Sequence, residues 1–147
     1  MNKFLVIGNP IDHSLSPKLH NYWMEKNNIN AIYEKEKLDS HKLKNFISNI
    51  RNKNICGANV TVPFKKEVIP YLDKLTPDAE ATQSVNTILL SNGKIIGHNT
   101  DIGGFNSAIK DTRYNIFGKN IFSLFQDSFN HSKTISFSSR SSFFHAA

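Results

Sequence analysis

The segment Asn59-Val60-Thr61-Val62-Pro63-Phe64-Lys65 constrains this chain more than any other stretch. It reads as a buried strand that ends in a proline-started helix. Pro63 fits the first helical position, where its missing N–H costs nothing. Asn59 and Thr61 are two apart, so on a strand they point to the same face. Lys65 then rises beside the strand end, where open α/β sheets bind ligands. Two hydrogen-bonding side chains and one ammonium converging on one small volume suit a polar, hydroxylated small molecule.

The flanking sequence alternates strand and helix signals. Residues 3–8 predict a buried strand, and Ser16-Pro17 opens a helix with serine as N-cap and Leu19, Tyr22, Trp23 and Lys26 at helical spacing. Residues 31–38 predict an exposed strand. Ser40 caps a second helix that carries Leu43, Phe46, Ile47 and Ile50 on one face. Cys56 to Val62 is the third strand and Pro63 to Lys74 the third helix. Thr76-Pro77-Asp78 starts another helix, running to about Gln83. Val85–Leu90 and Lys94–Ile96 flank Asn92-Gly93, a strong hairpin signal. A further helix is predicted from Ile102 to Asp111, and a strand begins at Lys119. Strands alternating with helices predict an α/β fold with a mixed, mostly parallel sheet flanked by helices; the hairpin adds the antiparallel member.

Length and composition narrow the function. With 147 residues, 39% of them hydrophobic and 20% charged, the chain has room for one ordinary domain, or one domain plus a fragment. No apolar run approaches the roughly 20 residues that span a membrane. The apolar stretch at the N-terminus is too short for a signal peptide and is better read as a first strand. Cys56 is the only cysteine, so no internal disulfide or cysteine metal cluster is expected, and a reducing cytoplasm is the default. The net charge is +6, but the lysines are scattered among acidic residues, so no nucleic-acid partner is expected. His13, His20, His41 and His98 show no metal-ligand spacing.

Four polar clusters remain. Ser14 and Ser16 stand at a helix start, where hydroxyls and the helix dipole suit a carboxylate or phosphate; an ordinary cap is the plainer reading. Asn59, Thr61 and Lys65 form the second cluster, against which stand a turn-proximal amide and a solvated surface lysine. Asn86 starts an apolar strand and reads equally as a satisfied structural amide. Asp101, in Asn99-Thr100-Asp101-Ile102-Gly103-Gly104-Phe105, is either a helix cap or a catalytic carboxylate. Gly103-Gly104 is an unfavourable helix opening unless backbone passes close to something. Each plain reading holds separately. Four such junctions at strand ends, in this order, are hard to reach by accident.

In these segments the sequence resembles shikimate dehydrogenase. The likeness runs through Gly8-Asn9-Pro10, Ser14-Leu15-Ser16-Pro17-Lys18-Leu19-His20-Asn21, Asn59 to Lys65, Val85-Asn86-Thr87 and Asn99 to Phe105, and it covers roughly residues 3–122. The family reduces 3-dehydroshikimate to shikimate with NADPH, in aromatic amino-acid biosynthesis. Its fold joins an N-terminal substrate domain to a C-terminal Rossmann domain. The resemblance implies that Ser14 and Ser16 bind the substrate carboxylate. It implies that Asn59, Thr61, Asn86 and Asp101 hold ring hydroxyls, and that Lys65 is the acid/base group with Asp101 beside it. The chemistry is consistent: a reduced ketone leaves an alkoxide, and an adjacent ammonium supplies its proton and stabilises its charge. A neighbouring carboxylate orients that ammonium and keeps it charged.

Two departures stand out. The family's second domain opens on a strand and a Gly-Ala-Gly-Gly-type turn that brings NADP pyrophosphate against backbone. Here Lys119-Asn120-Ile121-Phe122 is followed by Ser123-Leu124-Phe125-Gln126-Asp127-Ser128, and residues 119–147 hold no glycine. NADP, the family cofactor, is therefore not expected to be held by this chain. The implied organisation is a substrate domain over 1–105, a connecting helix and linker over 106–118, and an aberrant, poorly ordered remnant of the NADP domain over 119–147. The second departure is Thr82-Gln83-Ser84, where the family commonly has Ile-Gly-Ala; it is expected to alter the helix end and leave Asn86 in place. The expected activity is substrate binding without turnover. The alternatives are a non-catalytic shikimate-binding module and a relative that also acts on quinate.

Overall fold

The computed structural model describes residues 1–112 and, beyond them, the backbone of residues 122–126, 132–136 and 145–146. The chain divides into two compact units, residues 1–100 and 101–147.

The first unit is a six-stranded sheet in the order β2-β1-β3-β5-β6-β4. Its elements are β1 (Asn2–Gly8), α1 (Ser16–Lys26), β2 (Ala31–Lys37), α2 (Leu43–Arg51), β3 (Gly57–Val60), α3 (Phe64–Glu67), β4 (Lys74–Leu75), α4 (Pro77–Thr82), β5 (Thr87–Ser91) and β6 (Lys94–His98). β1 pairs parallel with β2 and β3, and β4 pairs parallel with β6. β5 runs antiparallel to β3 and β6. The expected mixed, mostly parallel sheet is therefore present.

The two faces are covered differently. Leu5 and Ile7 of β1, Ala58 and Val60 of β3, Ile88 and Ile95 pack against Leu43, Phe46, Ile47 and Ile50 of α2, with Phe64, Val68 and Ala79 beside them. The alternation is the strand period: Leu5 and Ile7 face α2, while Phe4 and Val6 face the other way. That second face holds a smaller cluster of Val6, Ile11 and Tyr33, with Phe4 and Met24 of α1 against it. The hairpin turn has φ of 50° at Asn92 and 75° at Gly93, the left-handed pair that two-residue hairpins use.

Four details differ from the sequence reading. The third helix stops at Glu67, followed by a 3₁₀ turn at Ile69–Tyr71 and the short strand β4. Pro70 lacks the N–H a continuing helix needs. Beyond it, Asp73 N–H bonds the Ile95 carbonyl (2.9 Å), and the Asp73 carboxylate accepts from Ile95 N–H (2.6 Å) and from Arg51. Edge pairing with β6 thus takes the place of helix. Ser16, predicted as the cap, is instead the first helical residue: Leu15 holds the cap position without a side-chain bond, and Ser14 Oγ accepts the Ser16 N–H (3.3 Å). β2, expected to be exposed, is exposed only at Lys35 and Lys37; Tyr33 is 3% exposed and the other residues are half-buried. β3 ends at Val60, so the alternation argument does not extend to Thr61.

The second unit opens with α5 (Asp101–Asp111). A Cβ added at Gly103 or Gly104 meets nothing within 4 Å, so no close backbone approach explains the pair among the described residues. The strand expected from Lys119 runs Phe122–Gln126 and pairs antiparallel with Ser132–Ser136, which pairs antiparallel with His145–Ala146. Residues 113–121, in the expected connector and strand start, lie outside the described residues. Among the described residues, no helix is long and apolar enough to cross a membrane and no three His, Cys, Asp or Glu side chains group to hold a metal.

Two stability effects follow from this geometry. Gln83 ends α4 in the left-handed region (φ 49°), where glycine carries no Cβ penalty. Gln83→Gly is expected to stabilise the unit by about 1 kcal/mol, read as a rise in Tm; an unchanged or lower Tm contradicts the strain. Gly8 is the reverse case, since a Cβ there would lie 2.6 Å from Thr61 Cγ2 and 3.2 Å from the Val62 carbonyl. Gly8→Val is expected to cost roughly 2–3 kcal/mol in a urea unfolding curve.

Candidate functional site

The sheet topology gathers the polar segments at one edge. β1 and β3 are parallel, so Gly8 and Val60 end at the same side. β5 runs the opposite way and begins there with Thr87, and β6 ends there with His98. The Ser14–Ser16 loop leaves β1, Thr61 and Lys65 leave β3, Asn86 enters β5, and Thr100 leaves β6. This is the edge at which open α/β sheets take ligands.

Backbone hydrogen bonds lock these segments together. Asn9 N–H donates to the Val62 carbonyl (3.0 Å) and Thr61 N–H to the Ile7 carbonyl (3.0 Å). Val85 N–H donates to the Lys65 carbonyl (2.8 Å), and Asn86 N–H to the His98 carbonyl (3.0 Å). Lys65 is the second residue of the one-turn helix α3 and is half-buried. Thr61 lies one residue past β3 with its methyl toward Gly8. Ser14 and Ser16 are joined at the start of α1, both half-buried. Asp101 is the first residue of α5, in the second unit, immediately after Thr100 in the chain.

Asn59 and Asn86 are brought together in one side-chain network. Asn59 Oδ1 accepts from the Tyr33 hydroxyl (2.6 Å). Asn59 Nδ2 donates to the Asn86 carbonyl (3.2 Å) and to Thr87 Oγ1 (3.1 Å). Thr87 Oγ1 donates to Asn86 Oδ1 (3.0 Å), which also accepts Thr100 N–H (3.0 Å). Asn86 Nδ2 donates to Thr100 Oγ1 (2.8 Å). Asn86 is buried, as a satisfied amide must be.

Tyr33, Thr87 and Thr100 join this network with no role predicted from the sequence. Thr87 and Thr100 stood inside the quoted motifs. Tyr33 gave no signal, because it sits among Glu34, Lys35, Glu36 and Lys37 on an edge strand. Its burial comes from α1: Asn21 Nδ2 donates to the Tyr33 carbonyl and Asn21 Oδ1 accepts Tyr33 N–H, both at 2.8 Å. The His20 ring lies 4.2 Å from the Tyr33 ring, centroid to centroid, tilted by 53°. Burial pushes the Tyr33 phenol up to about 12, so it is a neutral donor at physiological pH. Burial also lowers the His20 pKa, favouring its neutral ring.

A cavity of about 140 Å³ opens on the sheet face beside Tyr33, Asn59 and Thr87, lined otherwise by residues such as Phe4, Ile88 and Leu89. Ser14, Ser16, Thr61 and Lys65 do not line it. Of the candidate site residues only Asn59 lines it, and the others lie toward the strand ends. Those groups can hold hydroxyls, a carboxylate and an oxygen that gains charge.

The described residues do not fit NADP. A dinucleotide site needs a strand, a glycine turn and a helix N-terminus. Residues 119–147 contain no glycine, and Phe122–Gln126 has an antiparallel partner.

The profile of the shikimate dehydrogenase substrate binding domain matches residues 6–88. The shikimate dehydrogenase (NADP(+)) of Pelagibacter ubique is 58% identical over 116 residues, which are 79% of this chain and 44% of that protein. Shikimate dehydrogenase 1 from Peptoclostridium difficile superposes with a TM-score of 0.74 at 35% identity, covering 80% of this chain and 45% of that one. Shikimate 5-dehydrogenase from Listeria monocytogenes, solved in complex with shikimate and NAD, gives 0.76 at 36% identity, covering 80% and 41%. The chain spans less than half the length of these relatives. The profile covers more than half of the chain and takes in the segments from β1 to β5 that build the sheet edge, so the chain belongs to the shikimate dehydrogenase family.

Proposed function

We propose that this chain binds shikimate and 3-dehydroshikimate at the strand-end edge of its first unit. The substrate-binding region is assigned to residues 1–105, with 106–118 as connector and 119–147 as the remnant of an NADP-binding domain. The observation that carries the reading is the convergence of four polar segments on one sheet edge, three of them joined through the Asn59–Thr87–Asn86–Thr100 network. Family membership supplies the substrate class.

In this reading Ser14 and Ser16 take the ligand carboxylate near the start of α1, where the helix dipole favours negative charge. Asn59, Thr61, Asn86 and Asp101 take ring hydroxyls. Lys65 is the acid/base group: its ammonium hydrogen-bonds the oxygen at the reacting carbon and can give that oxygen a proton. Asp101 is its carboxylate companion, an assignment that rests on the Asn99-Thr100-Asp101 motif. In the family, NADP supplies the hydride. No residues of this chain are proposed to hold it. The proposed setting is the cytoplasm, with a small-molecule ligand and neither nucleic acid nor membrane as partner.

Binding and turnover test the reading separately. Titrating the chain with shikimate is expected to shift its amide NMR spectrum with a Kd on the order of 1 mM, and Lys65→Ala is expected to weaken this roughly fivefold. A spectrum unmoved at about ten times that concentration sinks the binding site. Quinate, run in parallel, reports whether the ligand class is wider. NADPH oxidation with 3-dehydroshikimate is expected to stay at background for this polypeptide alone, and sustained turnover would overturn the assignment of substrate binding only.

A further inference from the structure

The Asn59 amide has a determined polarity. A backbone carbonyl can only accept, so the atom 3.2 Å from the Asn86 carbonyl must be Nδ2. Oδ1 is then the atom facing Tyr33, and the Tyr33 hydroxyl must donate to it. The far end of the network is fixed in the same way. Thr100 N–H can only donate, so the atom it meets is Asn86 Oδ1. The Thr87 hydroxyl fits between, accepting from Asn59 Nδ2 and donating to Asn86 Oδ1. Two backbone groups therefore orient every hydrogen bond from Tyr33 to Thr100.

This polarity limits what Asn59 can offer. Its two Nδ2 hydrogens go to the Asn86 carbonyl and Thr87 Oγ1. One Oδ1 lone pair goes to Tyr33, and an amide oxygen has two. Asn59 is half-buried, so a ligand can still reach it. Tyr33 is itself held on three sides: its backbone by Asn21, its ring by His20 and its hydroxyl by Asn59. Asn21 and His20 belong to α1, whose first residue, Ser16, donates its N–H to Ser14 Oγ. One side chain thus ties the helix that starts at Ser16 to the amide on β3.

We infer that Tyr33 is a positioning residue that holds the Asn59 amide, its polarity set by the Asn86 carbonyl, as a hydrogen-bond acceptor toward the ligand, so that this position selects a hydroxyl that can donate over an oxygen or fluorine that cannot. The ligand class rests on the shikimate site proposed above; the polarity of Asn59 does not.

The test has two arms on the 147-residue chain. In the unliganded protein, both Asn59 side-chain NH₂ hydrogens are expected to exchange with solvent more slowly than those of the exposed Asn52, and Tyr33→Phe is expected to shift their NMR signals. Exchange as fast as Asn52, or signals unmoved by Tyr33→Phe, overturns the inference, and the exchange measurement needs no variant to fold. In the ligand arm, wild type and Tyr33→Phe are titrated with shikimate and with deoxyfluoro analogues replacing each ring hydroxyl in turn. One analogue is expected to bind wild type roughly tenfold more weakly than shikimate, with the penalty falling to about twofold in Tyr33→Phe. Equal penalties in the two proteins mean that Tyr33 only supports the fold, and overturn its positioning role. Absence of shikimate binding by wild type, with slow Asn59 exchange, defeats the shikimate site and leaves the amide polarity standing.

Discussion

The carbonyl of Asn86 accepts two hydrogen bonds, from Val60 N–H at 2.8 Å and from Asn59 Nδ2 at 3.2 Å. Both lone pairs are used, one by backbone and one by side chain. The first bond extends the pairing of β3 and β5 beyond the strands themselves. The second fixes the Asn59 amide. Because Asn86 N–H reaches the His98 carbonyl, the same residue also ties β5 to β6. Three strands and two site segments therefore share one residue, and its burial follows from that position.

The close contact at Gly8 does the equivalent work on the other side of β3. Thr61 Cγ2 occupies the space that a side chain at residue 8 would fill. This lets the exit of β3 approach the exit of β1, and Asn9 N–H closes the junction on the Val62 carbonyl. The loop carrying Ser14 and the turn carrying Lys65 thus start from a shared, close-packed corner. Overpacking there moves both at once, whereas loss of a surface ion pair such as Lys3–Glu34, about half exposed at 2.7 Å, moves neither.

Much of this architecture was legible in the residues. The Asn92-Gly93 hairpin has a local cause, a pair able to take positive φ. α2 has another, since Leu43, Phe46, Ile47 and Ile50 repeat at helical spacing and all four are buried. The edge location of the polar clusters was readable because each sits where one periodicity gives way to another. The third helix is shorter than its sequence predicts because its end depends on β6, more than twenty residues on in the chain. Tyr33 is hidden for a similar reason: its following neighbours in sequence are charged, and what buries it comes from other elements, Asn21, His20 and Met24 of α1 and Val6 of β1 among them. Local causes were readable, while roles created by a distant partner were not.

The departure at Thr82-Gln83-Ser84 shows how the site tolerates a strained neighbour. Gln83 takes a left-handed backbone, yet Asn86 is only three residues further on. The strain is contained by bonds on either side of it. Gln83 Nε2 donates to the Glu80 carbonyl at 2.7 Å, and buried Asn99 donates to Thr82 Oγ1 (3.2 Å) and to the Ser84 carbonyl (3.0 Å). Val85, fully buried, then fixes the chain through its N–H on Lys65. A residue held from both flanks does not transmit a left-handed turn to the next strand, because moving it would break buried hydrogen bonds worth about 1–3 kcal/mol each once left unpaired. The cost of a non-glycine at the helix end is of similar size to one such bond. The turn therefore bears the strain locally, and the Asn86 amide keeps its place on the sheet edge.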